Sequence, residues 1–349
     1  MTTSLRKAQA TGPDFTVEHI DDLPGLVALA PEWRELWRRL PAATPFQSPG
    51  WLIAWYACFK PGQLRCVAVH FQGRLVGLAP FYAEDGPGGR RLLPLGISVS
   101  DYHDVLVDPT YEAVAGALLL KHLLQPPYDG TLCCEELRED SAALRMWGQS
   151  EWLRERNTQS ACPVLPLGRS FEIQIPRHKL RKLRMARHRV ERHGGAIIAP
   201  TRDAACGLIA ELFRLHAARW INRGEAGVLV DERVRHFHET VLPALLDENL
   251  LRLYGLYIGG ILAGAYYGFH WRERAYAYLG GFDPAFAYHS PGTVLIGHAI
   301  EQALRESASE FHFLRGREAY KYEWGASDRW NARLELRREH EHYGRDACE

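Results

Sequence analysis

The chain has 349 residues, which exceeds the usual size of one hydrophobic core, and its 46% apolar and 24% charged residues are typical of a globular protein of two domains. Lys and Arg together number 42, as do Asp and Glu, so the sequence lacks the overall positive charge of a nucleic-acid-binding protein. The seven cysteines form no C-x-x-C pair and no apolar run has the length of a membrane span, so we expect no disulfide framework, no metal site and no membrane-spanning helix.

The first half of the chain predicts two helices followed by a β-hairpin. Its opening residues, MTTSLRKAQATGPDF, lack the apolar core of a signal peptide, so we expect a cytoplasmic protein. Residues 31–40 place Trp33 and Trp37 at helical spacing, and a second helix follows the turn SPG at 48–50. Residues 64–77 alternate apolar side chains around a central glycine, which predicts two strands joined by a tight turn.

The second half repeats this order and then continues. Helices are predicted at 177–193, 204–220, 233–246 and 293–306, a hairpin at 251–264, and strands at 274–282 and 310–314. A loop at 283–292 separates the first of these strands from the last helix. The sequence therefore predicts an α/β protein with a mixed sheet.

The two predicted hairpins, 64–77 and 251–264, are similar in sequence. They share Leu, Arg, Gly, Leu and Gly at a constant offset without a gap. Unrelated hairpins also resemble one another, but this number of matches favours an internal duplication. Prolines and a glycine at 163–168 interrupt the pattern between the halves, so we expect one domain over residues 14–165 and a second over 166–340.

The loop ahead of the helix at 293–306 is a candidate anion-binding site. It reads Ser290-Pro291-Gly292-Thr293. Proline suits a first helical turn, glycine allows a ligand to approach the backbone, and a helix N-terminus attracts negative groups such as pyrophosphate. An ordinary helix start without a ligand explains the same residues.

The strand before that loop ends in Leu279-Gly280-Gly281-Phe282. Two consecutive glycines near a strand end predict a β-bulge or a splayed backbone. An N–H group exposed there would polarise a carbonyl during acyl transfer. A plain strand end is the alternative.

Candidate proton acceptors lie in two places. Asp283 directly follows the strand at 274–282, although Asp-Pro is also an ordinary turn start. Asp101 and His103 share one face of an extended segment, where a carboxylate that orients an imidazole suits proton transfer near neutral pH. A polar strand edge explains the same pair.

Two helices carry groups that indicate ligands. His216, Arg219 and Trp220 lie three and four residues apart and form a candidate site for an acidic substrate group, with a core histidine as the alternative for His216. From Arg177 to His193 the chain has eight Lys or Arg, three His and one Glu. That run predicts either a solvated face or a surface for an anionic partner, and its lack of aromatic residues for base stacking argues against nucleic acid.

Several segments, in order, resemble the GNAT-fold acyltransferases of the CelD/BioF2-like group. They are TPFQSPGWL (44–52), GLAPFY (77–82), SDYHDVLVDP (100–109), LHAARWINRG (215–224), YAYLGGFDP (276–284), SPGTVL (290–295) and FLRGREAYKYEWG (313–325). This group is similar to the FemAB aminoacyltransferases in having two fused GNAT-like domains. The resemblance covers residues 33–330 and implies two tandem GNAT-like domains, of which the second holds the acyl-CoA and the first shapes the acceptor pocket.

The resemblance also implies a reaction in which an amine attacks the thioester of acyl-CoA directly. In such enzymes the loop before a helix holds the pyrophosphate, and the preceding strand lies beside the acyl carbonyl. On this chain the expected acyl-CoA contacts are Gly281, Phe282, Ser290, Gly292 and Thr293. The expected acceptor is an amine of a small molecule, a sugar or an envelope component, and O-acylation is a variant.

By the same resemblance a tyrosine after the fifth strand, Tyr320 or Tyr322, is expected to protonate the departing thiolate, and Tyr320 is the one assigned. From the residue patterns above, Asp283, Asp101 or His103 is expected to act as the base. The expected substrate contacts are His216, Arg219, Trp220, Tyr102 and Lys321. Two alternatives are a FemAB-like transferase that uses aminoacyl-tRNA and a degenerate pair of domains that binds a ligand without catalysis.

One position departs from this group. His312, in the strand FHFLRG, stands where the group usually has an acidic residue, so the resemblance gives it no role. The aromatic and charged run that follows it either lines a cleft or packs a closing helix on the sheet.

Overall fold

The structure is a computed structural model that describes residues 7–10, 14–86, 89–125, 130–168, 170–221 and 231–338, with side chains omitted at 7–10, 172–173 and 217–221. The first half comprises β1 (Lys7–Ala10), β2 (Phe15–Ile20), α1 (Leu23–Ala28), α2 (Ala30–Arg39), α3 (Pro49–Phe59), β3 (Gln63–Phe71), β4 (Arg74–Gly86), β5 (Gly89–Pro94), β6 (Leu106–Val107), α4 (Glu112–Leu123), β7 (Thr131–Leu137), α5 (Ala142–Trp147) and β8 (Leu153–Pro166). The second comprises α6 (Phe171–Gln174), α7 (Arg177–Arg192), β9 (Ala196–Ile198), α8 (Arg202–Ile221), α9 (Glu232–Asp247), β10 (Leu251–Ile258), β11 (Ile261–Trp271), β12 (Arg274–Phe282), α10 (Pro291–Arg305), β13 (Glu310–His312), α11 (Ala319–Glu323) and β14 (Ser327–Leu336).

The two predicted hairpins are β3–β4 and β10–β11. Each closes with a two-residue turn, at Gln72-Gly73 and at Gly259-Gly260, and all four of these residues have positive φ angles between 48° and 80°. This backbone matches the right-handed twist of paired strands, which explains why glycine recurs at the turn. Both halves therefore carry the hairpin at which the sequence repeat was found.

The strands form one mixed sheet that runs through both halves. Their order is β1-β2-β3-β4-β5-β7-β14-β8-β13-β12-β11-β10-β9, and β6 pairs with β4. The C-terminal strand β14 lies between β7 and β8, and β8 in turn pairs with β13 of the second half. Each half thus supplies a strand to the sheet of the other, and β8 extends through Pro163 to Pro166 without the break that the prolines predicted.

The largest core is shared by the two halves. On one face of the sheet, α2 and α3 of the first half pack with α8 and α9 of the second, and the Trp37 and Trp271 rings stack with their centroids 3.9 Å apart. On the other face each half has its own core, beneath α4 and α5 in the first and beneath α7 and α10 in the second.

His238 of α9 lies within the shared core. Its side chain is 1% exposed, and neither ring nitrogen has a hydrogen-bond partner in the described part of the chain. Five aromatic rings surround it with centroids 4.9 to 5.9 Å away. Burial therefore lowers the pKa of His238 to about 3, because desolvation disfavours the imidazolium form.

We predict that His238→Phe makes unfolding less sensitive to acid. The unfolded chain binds a proton at this histidine below pH ~6.5 whereas the folded chain does not, so stability is lost as the pH falls. The variant should reduce the slope of unfolding free energy against pH by ~1.4 kcal/mol per unit between pH ~6 and ~4. Urea unfolding at several pH values measures this, with exposed His236→Phe on the same helix as the control; an unchanged slope for His238→Phe would contradict the prediction.

Candidate functional site

Strands β12 and β13 separate after a short parallel pairing. Residues Arg274–Tyr276 pair with Glu310–His312. Beyond them β12 continues to Phe282, paired with β11 on its other edge. Beyond His312 the chain instead follows β8, since the N–H of Phe313 donates to the Pro163 carbonyl at 2.9 Å and that of Gly316 donates to the Ala161 carbonyl at 3.1 Å. The edge of β12 from Ala277 onward is therefore open to a ligand.

A β-bulge lies at the start of this open edge. The register between β11 and β12 shifts after the Tyr267–Leu279 pair, so Tyr278 is the extra residue. Its hydroxyl donates to the Val99 carbonyl of the first half at 2.8 Å. The paired glycines predicted the distortion, and the bulge itself falls two residues earlier, at Tyr278.

The open edge forms one wall of a cavity of about 370 Å³. The first turns of α10 form the second wall, and Tyr320, Trp324 and Lys179 form the third. Six of the residues singled out in the sequence line it together: Gly281, Phe282, Ser290, Gly292, Thr293 and Tyr320. The structure thus brings the SPGT loop, the glycine-rich strand end and the tyrosine of the last motif to one place.

The N-terminus of α10 opens at this cavity. Ser290 has a left-handed backbone with φ 51°, and its side chain makes no capping hydrogen bond to the helix. Arg189 of α7 donates from Nη2 to the Ser290 hydroxyl at 3.5 Å, and its guanidinium lies 5.0 Å from the Tyr288 ring centroid. The helix dipole and this guanidinium both favour an anion at the cavity mouth.

The residues after β13 divide between the cavity and structural contacts. Tyr320 lines the cavity with 39% of its surface exposed. The Tyr322 hydroxyl donates to Asp328 at 2.6 Å. Lys321 is 3% exposed, and its ammonium donates to the carbonyls of Leu314, Arg315 and Gly316 at 3.2, 2.7 and 3.1 Å.

Lys321 makes structural contacts in this structure. Its three N–H donors face main-chain oxygens of the loop at 314–316, and Glu318 lies 2.9 Å from the same nitrogen. A buried ammonium in this arrangement fixes the loop that follows β13, and the assignment of Lys321 as a substrate contact stays a prediction.

Asp283 lies at the end of β12 outside the cavity lining. Its carboxylate accepts the N–H of Ala285 at 2.9 Å and caps the short 3₁₀ helix Pro284–His289. This is the turn start that Asp-Pro also predicted.

Asp101 and His103 lie at the contact between the halves, not in the cavity lining. The Asp101 carboxylate accepts from Nε of Arg315 at 2.7 Å, so the expected pairing with His103 is replaced by an ion pair with the second half. His103 is 6% exposed, and burial together with the nearby Arg315 charge lowers its pKa to about 3. The main-chain N–H of His103 donates to the Glu136 carbonyl at 3.1 Å.

That last contact closes the corresponding gap in the first half. There β5 and β7 pair in parallel at two positions, and His103 then forms an isolated bridge to Leu137. The loop that contains Asp101, Tyr102 and His103 thus fills the space beside β5. The equivalent space beside β12 in the second half stays open. The first half has a filled counterpart of the cavity.

Tyr102 links the halves through His312. Its hydroxyl donates to Nδ1 of His312 at 3.0 Å, and Nε2 of His312 donates to Glu310 at 2.9 Å. Burial lowers the pKa of His312 to about 4, and the hydrogen bond from His312 is the main cause that lowers the pKa of Glu310. Tyr102 and His312 are 2% and 1% exposed, so these groups position the strand and Tyr102 does not reach the cavity as a substrate contact.

His216 lies beside the open strand edge. Its Nδ1 is 3.3 Å from the Gly280 carbonyl oxygen. The side chains of Arg219 and Trp220 lie outside the described residues.

The positive charge of helix α7 is partly neutralised by glutamates of α10 and α11. Its apolar stripe of Leu180, Leu183, Ala186 and Val190 is buried. Arg187 forms two hydrogen bonds to Glu301 at 2.8 and 2.7 Å, and Lys179 bonds to Glu323 at 3.0 Å. Within the described part of the chain, Arg177, Arg181 and Arg184 are exposed and have no ion pair.

Sequence reasoning missed three residues of this region: Lys179, Arg189 and Tyr278. Lys179 and Arg189 are hidden within a run of similar charges. Tyr278 resembles an ordinary apolar position of a strand, whereas Trp324 belongs to the aromatic run for which a cleft lining was one of two expectations. Only the register shift in β12 and the packing of α7 against α10 and α11 distinguish them.

Comparisons with known proteins agree on the fold. Residues 177–322 match the family described as Acetyltransferase (GNAT) domain. Among solved structures, FemX has a TM-score of 0.65 at 13% identity, covering 88% of this chain and 96% of that one. The C-terminal domain of a putative lysylphosphatidylglycerol synthetase from Agrobacterium fabrum has a TM-score of 0.57 at 11% identity, covering 89% and 92%. A conserved protein of unknown function from Bacteroides thetaiotaomicron has a TM-score of 0.57 at 13% identity, covering 92% and 99%.

No protein of curated function matches the chain by sequence. The similarity to solved structures therefore shows a shared fold, and the predicted fold class of two tandem GNAT-like domains in a mixed α/β sheet is confirmed. The matched segment contains every residue that lines the cavity except Trp324. Among the described residues, no group of His, Cys, Asp and Glu is arranged to hold a metal ion, and no helix has the length and apolarity to cross a membrane.

Proposed function

We propose that this chain, which contains an acetyltransferase (GNAT) domain over residues 177–322, is an acyl-CoA-dependent N-acyltransferase. One observation carries the proposal: the open edge of β12, the N-terminus of α10 and Tyr320 line a single cavity. Each feature meets one need of an acyl-CoA substrate. The strand edge supplies hydrogen-bond donors for the thioester carbonyl, the helix N-terminus a positive site for pyrophosphate, and Tyr320 an acid for the leaving thiolate.

The register of β12 indicates which backbone groups are available. Asp283 donates its N–H to the Ala263 carbonyl at 3.0 Å. Hydrogen-bonded pairs recur every second residue of an antiparallel ladder, so Gly281 bonds to Ala265 of β11 in the same way. Gly280 and Phe282 fall between these pairs and direct their N–H groups away from β11, toward the open side. In our proposal one of these N–H groups polarises the acyl carbonyl.

The proposed reaction is a direct transfer. The neutral amine nitrogen forms a bond to the carbonyl carbon and loses one proton to a base, the C–S bond breaks, and the thiolate takes the Tyr320 hydroxyl proton, which the tyrosinate regains from solvent. The acceptor amine, of a small molecule, a sugar or an envelope component, would enter between the halves, with residues 14–165 shaping its pocket and residues 166–340 holding the donor.

We predict that acetyl-CoA raises the melting temperature of the protein and that Gly292→Glu abolishes this shift. Binding to the folded state stabilises it, and the added carboxylate would repel pyrophosphate at the α10 N-terminus. A Cβ at Gly292 would lie 3.8 Å from the Phe282 ring, so the fold accommodates the side chain. Gly292→Gln is the matched uncharged control; thermal shift with short and long acyl-CoA measures both, and no shift in the wild type would reject the proposal.

We predict that Tyr320→Phe lowers kcat by ~10²-fold or more and leaves KM for acyl-CoA unchanged, because only the proton donor is lost. Release of the CoA thiol measures the rate. Tyr322→Phe is the control, since its hydroxyl bonds to Asp328 and should affect stability more than rate. Full kcat in Tyr320→Phe would remove Tyr320 from the mechanism.

A second candidate function is transfer from aminoacyl-tRNA, as in FemAB-type enzymes. The unpaired Arg177, Arg181 and Arg184 of α7 and the fold shared with FemX favour it. It predicts tRNA binding whose affinity falls steeply with salt and is weakened by Arg181→Glu. Filter or fluorescence binding between low and physiological salt measures this, and absent or salt-insensitive binding would reject it.

A further inference from the structure

Helix α8 packs directly on the glycine-rich end of β12. A Cβ built on Gly281 would lie 2.9 Å from the His216 main-chain nitrogen and 3.1 Å from Cβ of Leu215. Distances this short leave no room for a side chain, so glycine is required for α8 to approach the strand. The approach places the His216 side chain beside the strand segment that lines the cavity.

The contact of His216 with Gly280 lies on the open side of β12. Gly280 is paired with Tyr266 at a position that directs its N–H and carbonyl away from β11, as the Asp283–Ala263 hydrogen bond establishes. The Gly280 carbonyl is 3.3 Å from Nδ1 of His216. The imidazole therefore lies in the space from which β13 has departed.

This hydrogen bond also selects a tautomer. A carbonyl oxygen only accepts, so Nδ1 must carry the proton. In the neutral ring the basic lone pair is then on Nε2, the arrangement in which a histidine accepts a proton from a substrate.

The other three candidate bases form their contacts away from the cavity wall. The Asp283 carboxylate caps the 3₁₀ helix at Ala285, and the Asp101 carboxylate bonds to Arg315 at 2.7 Å. His103 is 6% exposed within the contact between the halves. Of the four residues, His216 alone bonds to a residue of the cavity wall.

We propose that His216 is the general base that removes the proton from the acceptor. Nε2 takes one proton from the attacking ammonium or water, the nucleophile forms its bond to the carbonyl carbon, and the C–S bond breaks with its electron pair on sulfur. The thiolate takes the Tyr320 proton, and the second proton of the nucleophile passes to the tyrosinate. The Gly280 carbonyl stabilises the proton on Nδ1 as the ring becomes positively charged. This assignment rests on the proposed acyl-CoA reaction.

The test uses His216→Asn in the full chain. The Asn side-chain amide keeps a donor near the position of Nδ1, so the bond to the Gly280 carbonyl is retained while Nε2 is removed. We measure CoA thiol release from acetyl-CoA with glucosamine or water as the probe nucleophile, and the melting shift with acetyl-CoA. The expected result is a fall in kcat of ~10²-fold or more with an unchanged KM and an unchanged shift.

A second variant separates chemistry from structure. Imidazole added to His216→Ala should restore part of kcat, which a packing role for His216 would not predict, and His236→Asn on α9 should behave as the wild type. If the wild type shows a normal melting shift, two results overturn the role of His216. One is an unchanged kcat in His216→Asn, and the other is no thiol release by the wild type. Loss of the melting shift in the wild type itself would instead overturn the proposed acyl-CoA function together with this assignment.

Discussion

The candidate site depends on where the pairing of β12 with β13 stops. β13 pairs with β12 over three residues, and the chain then follows β8. β12 extends to Phe282 without β13 at its side. A strand edge left open in this way has N–H and carbonyl groups without a ladder partner. The cavity, the bulge at Tyr278 and the approach of α8 at Gly281 all lie along this edge. The separation of two strands is therefore the constraint from which the site follows.

The first half of the chain maintains that separation. Its last strand β8 holds β13, and its Tyr102 binds His312, the last residue that pairs with β12. His312 is buried and held from both sides, by Tyr102 and by Glu310, which accounts for a residue that departs from the group the sequence resembles. The same first-half loop fills the equivalent gap beside β5 through the His103 bridge. Of the two halves, the second thus has the open cleft and the first supports it.

Charge in this protein is concentrated although its total is near zero. Helix α7 buries an apolar stripe and places Arg189 at the N-terminus of α10, so one of its positive charges lies at the mouth of the cavity. Glu301 and Glu323 neutralise another part. The exposed remainder at Arg177, Arg181 and Arg184 is the feature that the acyl-CoA reaction does not require, and it is the reason that a polyanionic donor is retained as the second candidate.

The sequence by itself determined the local elements and the order of the motifs. The repeated hairpins, the SPGT helix start and the glycine pair of β12 depend on backbone geometry that only certain residues adopt, so their residue types predict them, and six of the singled-out residues meet in one cavity. Tertiary structure alone decided the partners. Asp101 pairs with Arg315 and Tyr102 reaches His312, because β14 and β8 exchange between the halves and bring together residues more than 200 positions apart. No spacing within either half encodes such contacts, since they arise only when the two halves share one sheet.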